Sequence, residues 1–271
     1  MSFSLGQRSK AAGYQLAAFD NVGSTNAEAM DAARSGERAS KWFVTTLQTA
    51  GRGRRQRPWE APRGNLASSV LEVISVSPGV AATLGFAAGL ALEAALMQVS
   101  VEARMRAGES DTLQFRLKWP NDVLAAGKKL AGILIEAEAL TEGQLAVVVG
   151  IGTNVVASPE GTPYPATSLS ALGVQVGPEE LFGALSDSWT EYRGIWDNGR
   201  GFADIRRLWL ERAAGLGEPV SLKTGDTVMS GTFDTIDETG CLILRTADGK
   251  RLPITAGDVF FGPTASAGAT R

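Results

Sequence analysis

Apolar runs and helical patterns alternate along the first two-thirds of the chain. Short runs rich in β-branched and aromatic side chains, bounded by Gly, Pro, Asn or Ser, predict strands because such side chains suit a pleated surface. The predicted strands are residues 16–22, 42–48, 65–75, 115–119, 123–124, 130–139 and 145–151. The last four follow one another through short links, two of them at Ala126-Gly127 and Glu142-Gly143. Links this short join antiparallel neighbours, so the pattern predicts a mixed or largely antiparallel sheet.

Helical patterns with recognisable starts lie between and after these strands. Thr25 followed by Glu28 has the spacing of a capping box and predicts the start of a helix. Ser77-Pro78 combines a capping residue with a first-turn proline and predicts the start of a long alanine-rich helix. The predicted helices cover residues 25–36, 77–108, 178–198 and 202–214. Helices packed on such a sheet give an α+β fold class.

The pattern changes near residue 216, where short strands and glycine-containing turns replace the helices. Strands are predicted at residues 220–223, 228–234, 241–246 and 251–254. Several short strands separated by such turns predict a small all-β barrel of about 45 residues. We therefore expect two domains, residues 1–215 and residues 216–271, with a frayed tail after Gly262.

The residue counts exclude several classes of site and partner. With 271 residues, 44% of them hydrophobic, the chain can bury a sizeable core. It has no histidine and one cysteine, Cys241, which excludes a Cys/His zinc site, a Ser-His-Asp triad and an internal disulfide. A net charge of −3 argues against a general binder of polyanions. No signal sequence or evident membrane span is recognised, so we expect a cytoplasmic protein.

An arginine-rich loop is the strongest local signal for chemistry. Four arginines fall within the seven residues from Gly51 to Arg57, and guanidinium groups this close repel one another unless anions lie among them. Arginine presents bidentate donors to carboxylate or phosphate oxygens, and Gly51 and Gly53 let the backbone approach a ligand. A solvated basic loop or an arginine-rich arm for nucleic acid would also explain the run. The flanking strands and the acidic remainder of the chain favour an anion-binding site.

Two further motifs place polar residues at strand ends. In Lys118-Trp119-Pro120-Asn121-Asp122 the proline ends one strand and Asn-Asp begins the next, which fixes two polar side chains at the junction. Lys129 then begins a strand in which Gly132 indicates a close ligand or backbone. In isolation, a snorkelling side chain explains Lys129 better than a catalytic one. Gly150-Ile151-Gly152-Thr153-Asn154 fits a bulge or turn as well as a ligand site, and it lacks the third glycine and the helix of a dinucleotide fingerprint.

Together these motifs resemble those of the biotin protein ligases. The matching residues, in the family's order and spacing, are Ser24-Thr25-Asn26, Gln48, Gly51-Arg52-Gly53-Arg54-Arg55, Lys118-Trp119-Pro120-Asn121-Asp122, Lys129-Leu130-Ala131-Gly132 and Gly150-Ile151-Gly152-Thr153-Asn154. The resemblance covers residues 19–155 closely, and residues 220–261 are similar to the family's small C-terminal barrel. It implies a class II synthetase-like biotin/lipoate ligase core, with helices on a mixed sheet, followed by an SH3-like β-barrel.

The resemblance also implies a reaction and its participants. Biotin and MgATP would give biotinyl-5′-AMP and pyrophosphate, and a lysine of a biotin carboxyl carrier domain, from acetyl-CoA carboxylase or a related carboxylase, would then take the biotinyl group. Fewer residues precede Phe19 than a winged helix-turn-helix needs, so we expect a stand-alone ligase that binds neither DNA nor membrane. A homodimer is left open. Mg²⁺ is expected to arrive on ATP, with no protein side chain assigned to it.

The resemblance assigns Lys129 to the junction between the biotin carboxylate and the α-phosphate, and Arg54 to closing the loop over the adenylate. Asp122 is a third catalytic candidate, for orienting the incoming amine, although a turn-forming role explains it equally well. The residues implied for biotin are Ser24, Thr25, Asn26, Gln48, Gly51, Arg52, Lys129, Gly132, Ile133, Leu134, Gly150 and Gly152. The residues implied for ATP are Arg52, Arg54, Arg55, Arg57, Trp59, Asn121, Lys129 and Asn154. Trp59 is expected near adenine, and Trp119 beside the apolar chain of biotin.

One departure from the family and three alternative functions stay open. Gln56 stands where the family's loop has glycine, which leaves loop flexibility and closure undetermined. A lipoate or octanoate ligase shares the core fold and a comparable lysine, but its glycine-rich, histidine-containing motif is absent. A non-catalytic biotin- or nucleotide-binding module would keep Ser24, Thr25 and Gln48 without needing Lys129. A nucleic-acid adaptor would bind polyanions with steep salt dependence.

Overall fold

The computed structural model describes residues 2–162, 164–224 and 227–261. In chain order its elements are α1 (Gln7–Ala11), β1 (Gln15–Phe19), α2 (Thr25–Arg34), β2 (Lys41–Thr45), β3 (Leu66–Ile74), α3 (Pro78–Ala82), α4 (Leu84–Ala107), β4 (Phe115–Lys118), β5 (Asp122–Ala125), β6 (Lys128–Ala139), β7 (Leu145–Thr153), α5 (Pro178–Trp196), α6 (Phe202–Glu211), β8 (Pro219–Thr224), β9 (Thr227–Ile236), β10 (Leu242–Arg245), β11 (Arg251–Ile254) and β12 (Asp258–Phe261). The frayed tail predicted after Gly262 lies outside the described residues.

The predicted strands and helices are confirmed, with shifts of a few residues at their ends. The long helix expected from Ser77 is in fact two helices, α3 and α4, which meet at Thr83, whose hydroxyl donates to the Val80 carbonyl. Two elements, α1 and β12, are missing from the predicted set. They are five and four residues long, too short for a hydrophobic period to be recognised.

Seven strands form one mixed sheet in the order β1-β2-β3-β7-β6-β5-β4. β1 and β2 are parallel, because α2 lies between them and returns the chain to the same end of the sheet. The other neighbouring strands described in this sheet are antiparallel. This arrangement confirms the predicted α+β fold class.

Helices cover both faces of the seven-stranded sheet. On one face α4 and α5 bury most of the core, which includes Trp42 and Trp189. On the other face α2 buries Ala29 and Ala33 against Leu71. α2 covers only part of this second face, and a cavity opens beside it.

The stretch Pro78–Ala107, made of α3 and α4, is long and apolar enough to cross a membrane by length and composition. Its most apolar 18-residue window is, however, 72% buried inside the folded chain. A helix that is hydrophobic on most sides and covered by protein is typical of the centre of a large domain.

A second, antiparallel sheet follows α6, in the order β11-β10-β9-β8-β12. The chain between the two sheets runs beside the outer strand β4, where Leu117 N donates to Arg212 O at 2.9 Å and Ala214 N donates to Leu117 O at 2.8 Å. Trp119 Nε1 donates to Gly240 O, in the second sheet, at 3.1 Å. These bonds hold the small sheet beside the end of β4, where the Lys-Trp-Pro-Asn-Asp motif begins.

Candidate active site

Residues from three sequence motifs lie side by side across the seven-stranded sheet. Lys118 on β4 pairs with Asp122 on β5. Asp122 also pairs with Gly132 on β6, which in turn pairs with Gly152 on β7. Residues paired across neighbouring strands point to the same face of a sheet. The register therefore places a lysine, a carboxylate and two glycines in one row.

A cavity of about 920 Å³ opens over this row. Every residue predicted for catalysis, biotin or ATP lines the cavity except Gly51. The Gly51 carbonyl accepts a hydrogen bond from Trp59 N at 2.9 Å. This glycine therefore contributes to the backbone structure of the arginine loop without lining the cavity. The separate sequence motifs thus converge on a single concave site.

A β-bulge turns Lys129 toward the cavity. Strict alternation along β6 would put Lys129 on the face opposite Gly132. The register with β5 instead shifts at this point and leaves Leu130 as the extra residue. As a result the Lys129 ammonium lies 2.6 Å from Asp122 Oδ1. Their side chains are 28% and 17% exposed, so the ion pair is shielded from much of the solvent.

The start of α2 closes one end of the cavity with hydroxyl and amide groups. Gln48 Oε1 accepts hydrogen bonds from the backbone N and the hydroxyl of Thr25, at 2.8 and 3.1 Å. The buried Ser69 hydroxyl lies 2.7 Å from Thr25 Oγ1 and 2.6 Å from Asn26 Oδ1. This end therefore presents neutral donors and acceptors whose positions are fixed by one another.

The capping box predicted for Thr25 and Glu28 is wrong. Thr25 is the first residue of α2, and Ser24 precedes it as the N-cap without a side-chain capping hydrogen bond. The Thr25 hydroxyl binds Gln48 instead, a partner that local spacing does not reveal. Ser24 and Thr25 are buried and line the cavity.

Asn26 explains the glycine at position 150. A Cβ on Gly150 would overlap Asn26 Oδ1, so a larger residue would displace the amide. The other end of the amide donates to Glu136 Oε2 at 2.7 Å, and Arg52 lies 3.4 Å from Glu136 Oε1. Glu136 was not predicted as a site residue. Period-two alternation along β6 from Gly132 is the signal that places it on the cavity face.

Trp59 lies against the row of glycines. A Cβ on Gly152 would be 2.6 Å from the Trp59 indole, and a Cβ on Gly132 would be 3.2 Å from it. The Lys129 ammonium is 5.4 Å from the ring centroid. The structure therefore places Trp59 beside Lys129 in the middle of the cavity, and the two glycines leave the space that its ring occupies.

Asp258 of β12 pairs with two arginines of the loop. Its Oδ2 lies 3.2 Å from Arg55 Nη1 and 3.0 Å from Arg57 Nη2. The cavity wall thus includes the second sheet. Sequence reasoning missed Asp258, because some 200 residues separate it from its partners and no local pattern links them.

Arg54 differs from the other arginines of the loop in having a neutral partner. It donates to Asn121 Oδ1 at 3.1 Å, and burial is the main cause of the lowering of its pKa. Asn121 is held in turn, because its amide donates to Ile133 O at 2.8 Å. Arg54 therefore brings positive charge to the cavity without a carboxylate bonded to it among the described residues.

Two more polar residues, Asn154 and Lys118, line the cavity. Asn154 is only 1% exposed, and its amide donates to Thr167 O at 3.0 Å. Lys118 lines the cavity as well, although no role was predicted for it. Its place directly before the strand-ending Trp119-Pro120 was the available signal. Within residues 2–162, 164–224 and 227–261 no group of three or more acidic, Cys or His side chains could hold a metal ion.

Two family models match the chain. Residues 20–154 match the biotin/lipoate A/B protein ligase family, and residues 215–262 match the biotin protein ligase C-terminal domain. The chain is 40% identical to the biotin–[acetyl-CoA-carboxylase] ligase of Paracoccus denitrificans over 246 residues, which span 88% of this chain and 97% of that protein. This chain belongs to the biotin protein ligase family. The resemblance deduced from the motifs is thereby confirmed.

Other biotin protein ligases are similar over nearly the same extent. The biotin–[acetyl-CoA-carboxylase] ligase of Mycobacterium tuberculosis is 36% identical over 250 residues, 90% of this chain and 88% of that protein. The biotin protein ligase of Aquifex aeolicus, solved in complex with biotin and ATP, has a TM-score of 0.73 at 25% identity. The structural match covers 92% of this chain and 99% of the Aquifex aeolicus chain. The similarity therefore includes both sheets.

Gly150→Ala is expected to lower the free energy of unfolding by ~2 kcal/mol or more, because the new methyl group must displace the Asn26 amide from its buried partners. Introduced on top of Asn26→Ala, the same change should cost little, because the overlapping amide is gone. Urea unfolding of the four proteins in this double-mutant cycle checks the coupling. Gly79→Ala, whose Cβ would meet open space, serves as control. Equal costs in both backgrounds would contradict the contact.

Proposed function

We propose that this chain is an ATP-dependent ligase that forms biotinyl-5′-AMP from biotin and ATP and transfers the biotinyl group to a lysine of a biotin carboxyl carrier domain. The observation that carries the proposal is the Lys129–Asp122 pair at 2.6 Å. It lies between an end of the cavity rich in hydroxyl and amide groups and an end rich in arginine. A family member that binds both biotin and ATP shares this fold.

We assign the biotin ring to the α2 end of the cavity. A ureido group needs donors and acceptors of hydrogen bonds, and the sulfur ring and valeryl chain need apolar surface. Ser24, Thr25 and Gln48 supply the polar groups. Ile133 and Leu134 line the cavity next to the glycines and supply apolar surface. The carboxylate at the end of the biotin chain would then reach Lys129.

We assign ATP to the end of the cavity formed by the arginine loop and β12. Arg54 and Asn121 face it as a bonded pair, and Asp258 holds Arg55 and Arg57 at its edge. Mg²⁺ bound to ATP would supply further positive charge on the phosphates. We expect Mg²⁺ to arrive with the nucleotide, as the resemblance to the family implies.

The first step requires two anions to meet. A carboxylate and a phosphate oxygen ~4 Å apart repel by about 4 kcal/mol at an effective dielectric constant near 20. Lys129, at the junction of the two ends, offsets this repulsion. The biotin carboxylate oxygen attacks the α-phosphorus, the bond from that phosphorus to the bridging oxygen breaks, and pyrophosphate leaves with the bond electrons. No covalent enzyme intermediate is involved, so the absence of histidine from the sequence is no obstacle.

In the second step the carrier lysine attacks the acyl carbon of the adenylate, the bond from that carbon to the phosphate oxygen breaks and AMP leaves, and the amine releases its proton to solvent. Asp122 is bound to Lys129, and we assign it to holding that ammonium in place rather than to accepting the proton. The carrier we propose belongs to acetyl-CoA carboxylase or a related carboxylase, in the cytoplasm. We also place the boundary between the two domains between residues 215 and 216.

ATP–pyrophosphate exchange measured with biotin, lipoate and octanoate separates this function from its rivals. We expect exchange that depends on biotin and is at least ten times faster than with either fatty acid, because biotin alone matches the polar α2 end. A preference for lipoate or octanoate would indicate the related acyl ligase. Biotin binding without exchange would indicate a non-catalytic module.

Lys129→Ala is expected to cut the rate of adenylate formation several hundred-fold, because losing ~3–4 kcal/mol of charge stabilisation in the transition state has that effect. Biotin affinity should stay within a few-fold of wild type. Lys128→Ala is the matched control, since Lys128 is the exposed neighbour and does not line the cavity. Single-turnover formation of biotinyl-5′-AMP measures the effect, and a wild-type rate in Lys129→Ala would refute the role.

Arg54→Gly is expected to release biotinyl-5′-AMP at least ten times faster, since the charge-assisted hydrogen bond of ~1.5–3 kcal/mol that we assign to Arg54 and the adenylate is lost. Released adenylate should then biotinylate lysines of bystander proteins. Filter binding of labelled adenylate gives the release rate. Arg63→Gly, an exposed arginine outside the cavity lining, is the control, and unchanged release from Arg54→Gly would count against loop closure by Arg54.

A further inference from the structure

Lys118 is a buried lysine that lines the cavity. It occupies the last position of β4, is 6% exposed and pairs across the sheet with Asp122. Its ammonium lies 3.6 Å from the ring centroid of Tyr164, 5.6 Å from that of Phe261 and 6.0 Å from that of Phe260. Aromatic rings from the loop before residue 167 and from β12 therefore surround this charge.

The ammonium of Lys118 has no hydrogen-bond acceptor among the described residues. It has three N–H donors, yet in the described part of the chain no hydrogen bond or salt bridge joins it to another residue. Ring faces attract a cation but do not replace oxygen acceptors. Burial is the main cause that lowers the pKa of Lys118 to about 8. The charge of Lys129 lowers this pKa further, whereas the charges of Asp122 and Asp258 raise it. Lys118 is still mostly protonated at neutral pH, and an anion in the cavity would satisfy its donors.

The position of Lys118 identifies which anion this would be. The row across the sheet runs from Gly152 and Gly132, beneath Trp59, through Asp122 to Lys118. Lys129 lies at the glycine side of Asp122, where the biotin carboxylate is assigned. In a phosphoryl or nucleotidyl transfer the attacking and leaving oxygens are roughly in line on opposite sides of the phosphorus. A carboxylate that approaches from the glycine side therefore expels its leaving group toward Lys118.

We propose that Lys118 binds the β- and γ-phosphoryl groups of ATP and the pyrophosphate that they become. Its ammonium donates to their oxygens as the bond between the α-phosphorus and the bridging oxygen breaks. Negative charge develops on that bridging oxygen, and Lys118 stabilises it while keeping its own proton. The inference rests on the proposed ligase function. It distinguishes the two lysines of the site, with Lys129 at the attacking oxygens and Lys118 at the departing ones.

The transfer of biotin to the carrier lysine can be compared with the formation of the adenylate in the same variant. Pyrophosphate has left before the carrier lysine attacks, so Lys118 should matter for making the adenylate and for its reversal, but not for transfer. If Lys118 served only to pack against the rings of Tyr164, Phe260 and Phe261, its replacement would disturb both steps alike. The same distinction separates Lys118 from Lys129, which contacts the adenylate in both steps under our assignment.

Lys118→Met tests the proposal, because methionine fills a similar apolar volume without charge. We expect the KM for pyrophosphate, in ATP synthesis from biotinyl-5′-AMP, to rise about tenfold or more, as expected when a charged hydrogen bond is lost. The KM for biotin and the rate of transfer from purified biotinyl-5′-AMP to a carrier domain should stay within about twofold of wild type. Lys118→Arg should recover part of the pyrophosphate affinity, and Lys128→Met should behave as wild type.

A wild-type measurement keeps the test independent of variant folding. Pyrophosphate should protect Lys118 from an amine-directed acylating reagent, as followed by peptide mass spectrometry. Failure of protection, or an unchanged pyrophosphate KM in Lys118→Met, overturns the proposal. A selective loss of affinity for AMP and biotinyl-5′-AMP would place Lys118 at the adenosine and also overturns it. Absence of biotin-dependent exchange in the wild-type protein would instead refute the ligase function itself.

Discussion

The bulge between β5 and β6 is the constraint on which the rest of the site depends. Without the extra residue Leu130, Lys129 would share the core face with its apolar neighbours on β6. An ammonium there would be buried among hydrocarbon, at a large desolvation cost. With the bulge, the ammonium meets Asp122 at 2.6 Å. One irregularity in a regular sheet therefore decides whether the chain has a cation at the centre of its cavity.

The glycines of the sheet are explained by protein groups as much as by a ligand. Gly150 accommodates the Asn26 amide, and Gly152 accommodates the Trp59 indole. Helix α2 and the arginine loop can therefore approach the strands closely enough to form two walls of one cavity. Sheet, helix and loop are coupled through these contacts, so a change at a glycine acts on the site through the side chain that lies over it.

Much of this site could be predicted from sequence because its chemistry is carried by contiguous motifs. Lys129, Arg54 and the polar residues around Thr25 converge on the cavity as expected. The capping box failed because the Thr25 hydroxyl binds Gln48, which is distant along the chain, and local spacing describes only local hydrogen bonds. Asp258 could not be found, since its role depends on how the second sheet docks. The register of β4, β5, β6 and β7 likewise depends on how the strands pair. The row of Lys118, Asp122, Gly132 and Gly152 therefore could not be read from the sequence.

The carboxylates near the arginine loop reduce the repulsion among the cations of the cavity. The cavity can still attract a polyanion through the cations that are not paired. Arg52 is paired with Glu136, and Arg55 and Arg57 share the single carboxylate of Asp258, so two carboxylates offset only part of the charge of these three arginines. Arg54 and Lys118 are bonded to no carboxylate among the described residues; Lys118 is buried and Arg54 is half-buried. In a cavity of reduced dielectric constant these two charges act more strongly on a phosphate than exposed ones would. The arginines that are paired with carboxylates set the shape of the loop and keep some net positive charge, and Arg54 and Lys118 add to the attraction that the triphosphate requires.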